Sequence, residues 1–519
     1  MTDTPSSPPE TLAPRSWRDS LAIFWDRRVV SLLFLGFSAG IPLLLIFSSL
    51  SLWLSEAGVE RKAVTYFSWA ALGYAFKFVW APLVDRWPLP GLTAWLGRRR
   101  AWMLLAQAGV VVAIVGMAGT DPAAGGEALT RMALFAVLLG FAAATQDIVI
   151  DAYRIESADA AFQGTLSSAY IAGYRLGMIA SGAGALLLAA HWGSVKGHYD
   201  YQAWHWTYLV MAATVGVGVL ATLLSREPVP RDPVPLEARA TAEHWRLLAV
   251  FLCCVLALVA AFWAVGRALE PFSVGAGPLL TFVFECVRLV VGVAAAFLTG
   301  WALVQLGLAS REQARRTWLE PVLDFFQRYG VRTAWLVLAL IGLYRISDIV
   351  LGVISNVFYQ DMGFSKEEIA TAVKTMGVVV SIFGGFLGGV LATRWGVMRT
   401  LMWGAVLAAL TNLGFVALAH AGHDVALMYA VVAADNLAAG FSSAAFVAFL
   451  SSLTNVSFTA VQYAIFSSLM TLLPKTLGGY SGGMVDQLGY PGFFWLTTAI
   501  GLPVLLLVWL ARRRLNVQA

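Results

Sequence analysis

Ionisable side chains within long apolar runs are the residues of this sequence best suited to do chemistry. A charge at the centre of a bilayer costs roughly 2.5–3.5 kcal/mol on insertion scales, so such residues usually face a bundle interior and mark functional sites. They therefore predict a polar pathway through a membrane. The basic ones are Lys77, Arg175, Arg288, Arg345, Lys374 and Lys475, and the acidic ones include Asp147, Asp151, Glu285, Asp348 and Asp435.

Asp147, Asp151 and Arg154 are spaced four and three residues apart, so they share one helix face. Two carboxylates one turn apart in a low dielectric repel each other, which favours retention of a proton by one of them. A structural alternative is that Asp151 simply pairs with Arg154, and that Asp147 bridges to Arg175 on the next helix. The predicted proton-coupling residues are Asp147, Asp151, Asp348 and Asp435.

Several cations in apolar runs have no evident partner in the sequence, among them Lys77, Lys374 and Lys475. Positive charges around a central cavity suit a solute that carries carboxylates, and the amides Gln146 and Asn436 suit hydroxyl and amide groups. Arg345 and Asp348 are three residues apart and could instead neutralise each other, as could Glu285 and Arg288. The predicted substrate-binding residues are Lys77, Gln146, Arg175, Arg345, Lys374, Asn436 and Lys475.

Enzyme chemistry has no visible support in the sequence. There is no Gly-rich phosphate loop, no His/Cys metal spacing and no nucleophile motif, and the six histidines fall in loops or at the ends of apolar runs. We therefore expect no cofactor, no metal and no enzymatic activity. The net charge of +5 does not indicate nucleic-acid binding, because the basic residues are confined to particular loops.

Composition places the whole chain in a bilayer. Of the 519 residues, 59% are hydrophobic and 13% charged, against about 25% charged in soluble proteins, and the mean hydropathy is +0.73. We predict an all-α polytopic membrane protein with 14 spans, arranged as six, two and six. The predicted spans are 29–54, 63–84, 101–119, 130–153, 165–190, 205–224, 246–265, 277–304, 333–358, 369–393, 397–419, 425–450, 461–484 and 490–511.

Arginine and lysine are concentrated in the loops on the side of the termini, as at Arg98–Arg100 and Arg512–Arg514. The positive-inside rule therefore places both termini in the cytoplasm. The predicted domains are a cytoplasmic segment (1–28), a six-helix bundle (29–224), a central insert (225–332), a second six-helix bundle (333–511) and a cytoplasmic tail (512–519). The insert combines a Pro-rich linker, an extra transmembrane hairpin and an interfacial helix at 311–330, whose apolar stripe runs through Leu319, Val322 and Phe326.

The two predicted bundles share a short motif after their second span. Residues 81–87 read APLVDRW and are followed by Gly97-Arg98-Arg99-Arg100, whereas residues 389–399 read GVLATRWGVMR. Both resemble the G-x-x-x-D-R-x-G-R-R signature of the major facilitator superfamily. A short basic loop between two spans can bridge to carboxylates and helix ends and so latch one side of the bundle. The predicted cytoplasmic gate residues are Asp85, Arg86, Arg98, Arg99, Arg394 and Arg399.

Five longer stretches resemble the AmpG family of muropeptide permeases. They are GFSAGIPLL (36–44), KFVWAPLVDR (77–86), ATQDIVIDAYR (144–154), GYRLGM (173–178) and LPKTLGGYSG (473–482). The resemblance implies a major facilitator fold, import of anhydromuropeptides for peptidoglycan recycling, drive by protons, and the inner membrane of a Gram-negative bacterium. The superfamily's habit implies a monomer. The alternatives are a related carrier for another bulky acidic solute, such as an acylated cofactor or peptide, and, remotely, a membrane enzyme or receptor.

Overall fold

A computed structural model describes residues 25–59, 67, 72–159, 162–194, 198–228, 242–273, 278–478 and 481–515 of the chain. These residues are almost entirely helical. Among them, twelve helical segments are long and apolar enough to cross a membrane. The protein is therefore an all-helical, multi-pass membrane protein.

The first part of the chain forms ten helices. They are α1 (Arg27–Leu44), α2 (Leu50–Glu56), α3 (Leu72–Phe76), α4 (Ala81–Arg86), α5 (Leu92–Leu96), α6 (Arg98–Ala118), α7 (Gly126–Glu156), α8 (Gln163–Ile179), α9 (Ala185–His191) and α10 (Tyr201–Leu224). The central insert contributes α11 (Ala242–Ser273), α12 (Pro278–Gln305), α13 (Arg311–Ala314) and α14 (Glu320–Tyr329).

The last part contains α15 (Val331–Leu343), α16 (Ile346–Asp361), α17 (Lys366–Ile369), α18 (Gly377–Trp395), α19 (Val397–Ala421), α20 (Val425–Leu453), α21 (Thr459–Gly478) and α22 (Ser481–Arg514). Twelve of the predicted spans coincide with the twelve membrane-length segments. The predicted span 461–484 overlaps α21, and 63–84 lies largely among residues described only from 72 onward. The count of 14 stays a prediction.

Irregular turns interrupt several of the helical spans. Lys77–Val79 is a 3₁₀ turn between α3 and α4, Ala370–Met376 is a π-helical turn before α18, and Arg345 separates α15 from α16. Broken helices inside a membrane are tolerated where they are buried or line a cavity, and they often carry binding sites. Lys77, Lys374 and Arg345 all occur at these interruptions.

Each half of the chain packs two helices at backbone contact through glycines. In the first half, a Cβ built on Gly173 of α8 would lie 1.9 Å from the carbonyl oxygen of Leu33 in α1. In the second half, a Cβ on Gly440 of α20 would lie 1.9 Å from the carbonyl oxygen of Ser381 in α18. Small residues are what permit such approach between membrane helices. The same construction recurs in both halves, although the predicted domain boundaries stay a prediction.

Helix α14 packs on the bundle through Phe325. This side chain is 3% exposed and packs on Phe466 of α21 with ring centroids 5.2 Å apart. Asp324 bonds with Asn455 in the loop before α21, and Arg328 bonds with the carbonyl oxygen of Leu453. Leu319, just before α14, and Val322 are 50% and 38% exposed. The interfacial position of 311–330 stays a prediction.

Both described ends of the chain lie on one side of the bundle. Nη1 of Arg28, in the first turn of α1, donates to the carbonyl oxygen of Ser157 after α7, at 3.2 Å. Helix α20 ends on the same side, because its Ser451 contacts Arg154 in the last turn of α7. Helix α21 then runs to the opposite side of the bundle and α22 runs back, so Arg514 lies on the same side as Arg28. We call this the terminus side.

Candidate functional site

The two halves touch each other at the terminus side. The hydroxyl oxygens of Thr165 in α8 and Thr393 in α18 are 3.2 Å apart. One turn along, a Cβ on Gly164 would lie 2.9 Å from the carbonyl oxygen of Gly389, so the two backbones approach closely. A solute between the halves could not pass this contact without separating α8 from α18. The structure is therefore closed on the terminus side.

Asp85, at the end of α4, crosses to the other half. Its Oδ1 accepts a hydrogen bond from the backbone N–H of Ala460 at 3.1 Å, and Oδ2 accepts one from Val461 at 3.0 Å. Both N–H groups belong to the first turn of α21, where helix N–H groups lack partners within the helix and the dipole favours negative charge. Asp85 is 4% exposed, so this bond is shielded from water.

Two arginines hold Asp85 in place, Arg99 at its carboxylate and Arg98 at its backbone carbonyl. Nη2 of Arg99 lies 2.7 Å from Oδ1 of Asp85, and its Nε lies 3.0 Å from Oε2 of Glu156 in α7. Nη2 of Arg98 lies 3.5 Å from Oε1 of Glu156, and Arg98 also donates to the carbonyl oxygen of Asp85. Arg99 is 1% exposed, so a buried network of charges supports the contact of Asp85 with α21.

The other predicted gate residues are placed less centrally. Arg86 lies over the ring of Phe458, 5.7 Å from its centroid, and so also reaches the second half. Arg394 is half-buried in the last turn of α18, and Arg399 is exposed on α19. Thr393 occupies the position in the second motif copy that Asp85 occupies in the first. Its uncharged hydroxyl bonds with Thr165. The two motif copies therefore act differently.

A buried charge cluster lies between α7 and the turn at Lys77. Nζ of Lys77 lies 3.7 Å from Oδ2 of Asp151, and Nη2 of Arg154 lies 3.3 Å from Oδ1 of the same carboxylate. The expectation that Lys77 is unpaired is therefore wrong. Spacing along one helix could not reveal this pair, since Lys77 lies on a different span. The Asp151–Arg154 pair predicted as the structural alternative is present.

Arg154 connects this cluster to the second half. Its Nη1 donates to Oγ of Ser451 in α20 at 2.6 Å and to Oγ of Ser167 in α8 at 3.1 Å, and its guanidinium lies 5.1 Å from the ring centroid of Tyr463 in α21. It is 0% exposed. The sequence did not single out Ser451 or Tyr463, because serine and tyrosine in an apolar helix carry no charge signal.

Asp147 lies one turn deeper than Asp151. It is 8% exposed, and its Oδ1 accepts a hydrogen bond from the Tyr170 hydroxyl at 3.5 Å. The charges of Lys77 and Asp151 both act on it. The alternative bridge to Arg175 is not formed among the described residues. Asp147 is therefore a buried carboxylate with one long hydrogen bond and a cation nearby.

The two predicted amides pack inside their own halves. Gln146 is 0% exposed, and its Nε2 donates to Oγ of Ser38 in α1 at 3.2 Å. Nδ2 of Asn436 donates to the carbonyl oxygen of Val432 at 2.9 Å, and the side chain lies against Gly377. Gln146 is thus fully buried in the first half, whereas Asn436 is half-buried beside α18.

A second polar cluster lies in the other half, around the break between α15 and α16. Nε of Arg345 lies 3.9 Å from Oδ2 of Asp348. The charges of both act on Asp435 in α20, which also bonds with Thr411. Asp348 and Asp435 thus stand together near one arginine. The side chains of Lys374, Lys475 and Glu285 lie outside the described residues.

Glu227 is a structural partner of α6 that no motif in the sequence reveals. Its carboxylate oxygens accept from the backbone N–H of Arg99 at 2.7 Å and of Arg100 at 3.1 Å, which caps α6. Burial raises the pKa of the Glu227 carboxyl, and the two backbone bonds partly offset that rise. The signal in the sequence that could have indicated this role is a glutamate at the start of the Pro-rich linker, just after the predicted span 205–224.

Similarity to known proteins defines the class. A family model for the Major Facilitator Superfamily matches residues 335–518, and one for Acetyl-coenzyme A transporter 1 matches residues 28–192. Among solved structures, the proton:xylose symporter XylE bound to 6-bromo-6-deoxy-D-glucose superposes with a TM-score of 0.59 at 14% identity, over 94% of this chain and 96% of that one. The fold is that of a major facilitator transporter.

Curated relatives narrow the assignment. The Anhydromuropeptide permease of Escherichia coli is 30% identical over 497 residues, covering 96% of this chain and 82% of the relative. The Putative transporter AmpG 4 of Rickettsia conorii is 28% identical over 496 residues, covering 95% and 99%. This chain belongs to the AmpG family of anhydromuropeptide permeases. It is accordingly a transporter of the inner membrane rather than an enzyme.

Proposed function

We propose that this protein imports anhydromuropeptides, the disaccharide-anhydro peptides released from peptidoglycan, from the periplasm to the cytoplasm. The observation that carries this proposal is the 30% identity to the Escherichia coli permease over nearly the whole chain. The buried charge cluster at Lys77 and the half-buried one at Arg345 support a polar, acidic solute. The protein would act as a monomer in the bilayer.

Transport would proceed by alternating access between residues 29–224 and 333–511. We assign the terminus side to the cytoplasm, because the basic loops lie there. The contacts of Asp85 with α21 and of Thr165 with Thr393 then form the closed cytoplasmic gate. Import requires these contacts to break while contacts on the periplasmic side form.

Protons would enter through the buried carboxylates of the first half and the half-buried ones of the second. Asp147 lies beside Asp151, which is already held by Lys77 and Arg154, so Asp147 is the better candidate in the first half. In the second half, Asp348 and Asp435 share one arginine, so one of them can take up a proton when Arg345 moves away. Proton uptake at either place would neutralise a charge before the halves rearrange.

A second candidate function is transport of an acylated cofactor. The match of residues 28–192 to the model for Acetyl-coenzyme A transporter 1 is the observation that favours it. Coenzyme A thioesters are bulky and anionic, so the same cations could serve them.

Uptake into proteoliposomes separates the two candidates. Labelled disaccharide-anhydro tripeptide is offered with and without an inward proton gradient, in the presence or absence of unlabelled acetyl-coenzyme A. We expect gradient-driven accumulation that acetyl-coenzyme A does not inhibit and that Asp147→Asn abolishes. Accumulation that survives Asp147→Asn would move proton coupling to Asp348 or Asp435. No uptake by folded protein, together with uptake of acetyl-coenzyme A, would replace the first candidate by the second.

A further inference from the structure

Arg175 lies on the face of α8 that meets the second half. Gly164 and Ser168 of that helix contact Gly389 of α18. Arg175 follows Gly164 by eleven residues, which returns it to the same face within about 20° and places it roughly 16 Å deeper along the helix. Gly173, by contrast, faces α1. The position of Arg175 is therefore between the halves, beyond the closed gate.

Arg345 approaches the same region from the second half. It occupies the break before α16, so its backbone is not part of a continuous helix. Its ion pair with Asp348 is long, at 3.9 Å, and its buried Nε has no hydrogen-bond partner among the described residues. Charge-assisted bonds from a guanidinium to a carboxylate are normally about 2.7–2.9 Å. Asp348 therefore satisfies Arg345 incompletely.

The two guanidinium groups are close enough for the charge of Arg345 to act on Arg175. Arg175 forms no hydrogen bond or ion pair with the residues that the structure describes. Like charges facing each other at low dielectric repel, unless an anion lies between them. This differs from Lys77 and Arg154, whose charges are already met by Asp151.

We propose that Arg175 and Arg345 together bind the peptide carboxylates of the substrate, one arginine from each half. The planar guanidinium matches a carboxylate through two parallel hydrogen bonds, which makes the site selective for acidic peptides. A ligand held from both halves also favours the rearrangement that brings the halves together around it. This inference rests on the proposed function, and it distinguishes these two residues from the other cations of the pathway.

Equilibrium binding to the purified full-length protein tests the inference. The probes are disaccharide-anhydro tripeptide and the same compound with its peptide carboxylates converted to amides. We expect the acid to bind at least roughly tenfold more tightly than the amide, since discrimination rests on two charge-assisted contacts. R175Q and R345Q should each weaken binding of the acid by roughly tenfold or more and leave binding of the amide within about threefold. R131Q, at an exposed arginine of α7, is the matched control and should change neither affinity.

R175K and R345K keep the positive charge but lose the paired hydrogen-bond geometry. They should therefore retain an intermediate preference for the acid over the amide. Such a result would show that the glutamine variants bind weakly because a charge is lost and not because the protein is misfolded. Equal binding of acid and amide by the wild-type protein would overturn the carboxylate site and leave the transported class intact. Equal weakening of both probes in R175Q or R345Q would overturn it as well. If folded wild-type protein binds neither probe, the result would instead refute the proposed function, and this inference with it.

Discussion

Oδ2 of Asp85 lies 3.0 Å from the backbone nitrogen of Val461, so a carboxylate of the first half caps a helix of the second. The same carboxylate binds Arg99, which Glu156 also holds. Closing the terminus side therefore satisfies helix N–H groups that would otherwise lack a partner. Opening the terminus side separates the Asp85 carboxylate from the N-terminus of α21. The N–H groups there then lose their acceptor, and the network around the buried Arg99 is disturbed.

Asp85→Asn should shift the protein toward an open terminus side. The amide keeps one acceptor but loses the charge that the helix terminus and Arg99 attract. Such interactions contribute about 1–2 kcal/mol in buried settings, so the open population should rise roughly five- to thirtyfold. The measurement is the maleimide labelling rate of a Thr165→Cys reporter, because Thr165 is 1% exposed in the closed state.

The matched control for Asp85→Asn is Asp424→Asn. Asp424 caps α20 through the N–H of Leu427 at 2.9 Å, but within a single half. Its substitution should lower stability by up to about 1 kcal/mol without accelerating labelling at the reporter. Equal acceleration by both substitutions would show that a capping loss anywhere loosens the bundle, and that Asp85 is not a gate contact.

Ser451→Ala should also open the terminus side, because it removes the hydrogen bond from Arg154 that crosses between the halves. Hydrogen bonds to charged groups contribute about 1.5–3 kcal/mol, so the reporter should label roughly tenfold faster or more. Ser167→Ala removes a bond from the same guanidinium within the first half. It should lower thermal stability with no change in labelling, and a reversal of this pattern would refute the assignment.

Gly389→Ala should hinder closure for steric reasons. A Cβ there would lie 2.5 Å from Oγ of Ser168 and 2.8 Å from the carbonyl oxygen of Gly164, both in the opposing half. Gly385→Ala is the control on the same helix, since its Cβ would meet nothing nearer than 3.8 Å. We expect rapid reporter labelling and slow uptake for Gly389→Ala alone. Normal closure of that variant would mean that α8 and α18 tolerate a wider spacing.

Glu227 should make stability depend on pH. Burial raises its pKa above the usual 4.5, so the folded state binds this proton more tightly than the unfolded state. The contribution is present in full below about pH 4.5 and is lost as pH rises through the folded pKa. Relative to Glu227→Gln, the wild-type protein should therefore lose thermal stability as pH rises from 4.5. Glu127→Gln, at an exposed position, is the control. A constant difference across this range would contradict the shift.

The sequence was sufficient for twelve of the predicted spans, because apolar runs are long and local. It also indicated Asp151 with Arg154, which are one turn apart on a single helix. It could not place Lys77 beside Asp151 or Asp85 beside Val461, since those contacts depend on how separate helices pack.

The most direct test of alternating access is uptake by the double variant Thr165→Cys and Thr393→Cys, with Cys253, Cys254 and Cys286 replaced by serine. The two hydroxyl oxygens are 3.2 Å apart, so oxidation should join α8 to α18 and hold the terminus side closed. We predict no muropeptide uptake in oxidised proteoliposomes and recovery on reduction, with each single variant active throughout. Uptake that continues while the disulfide is intact would contradict passage of the substrate between the two halves.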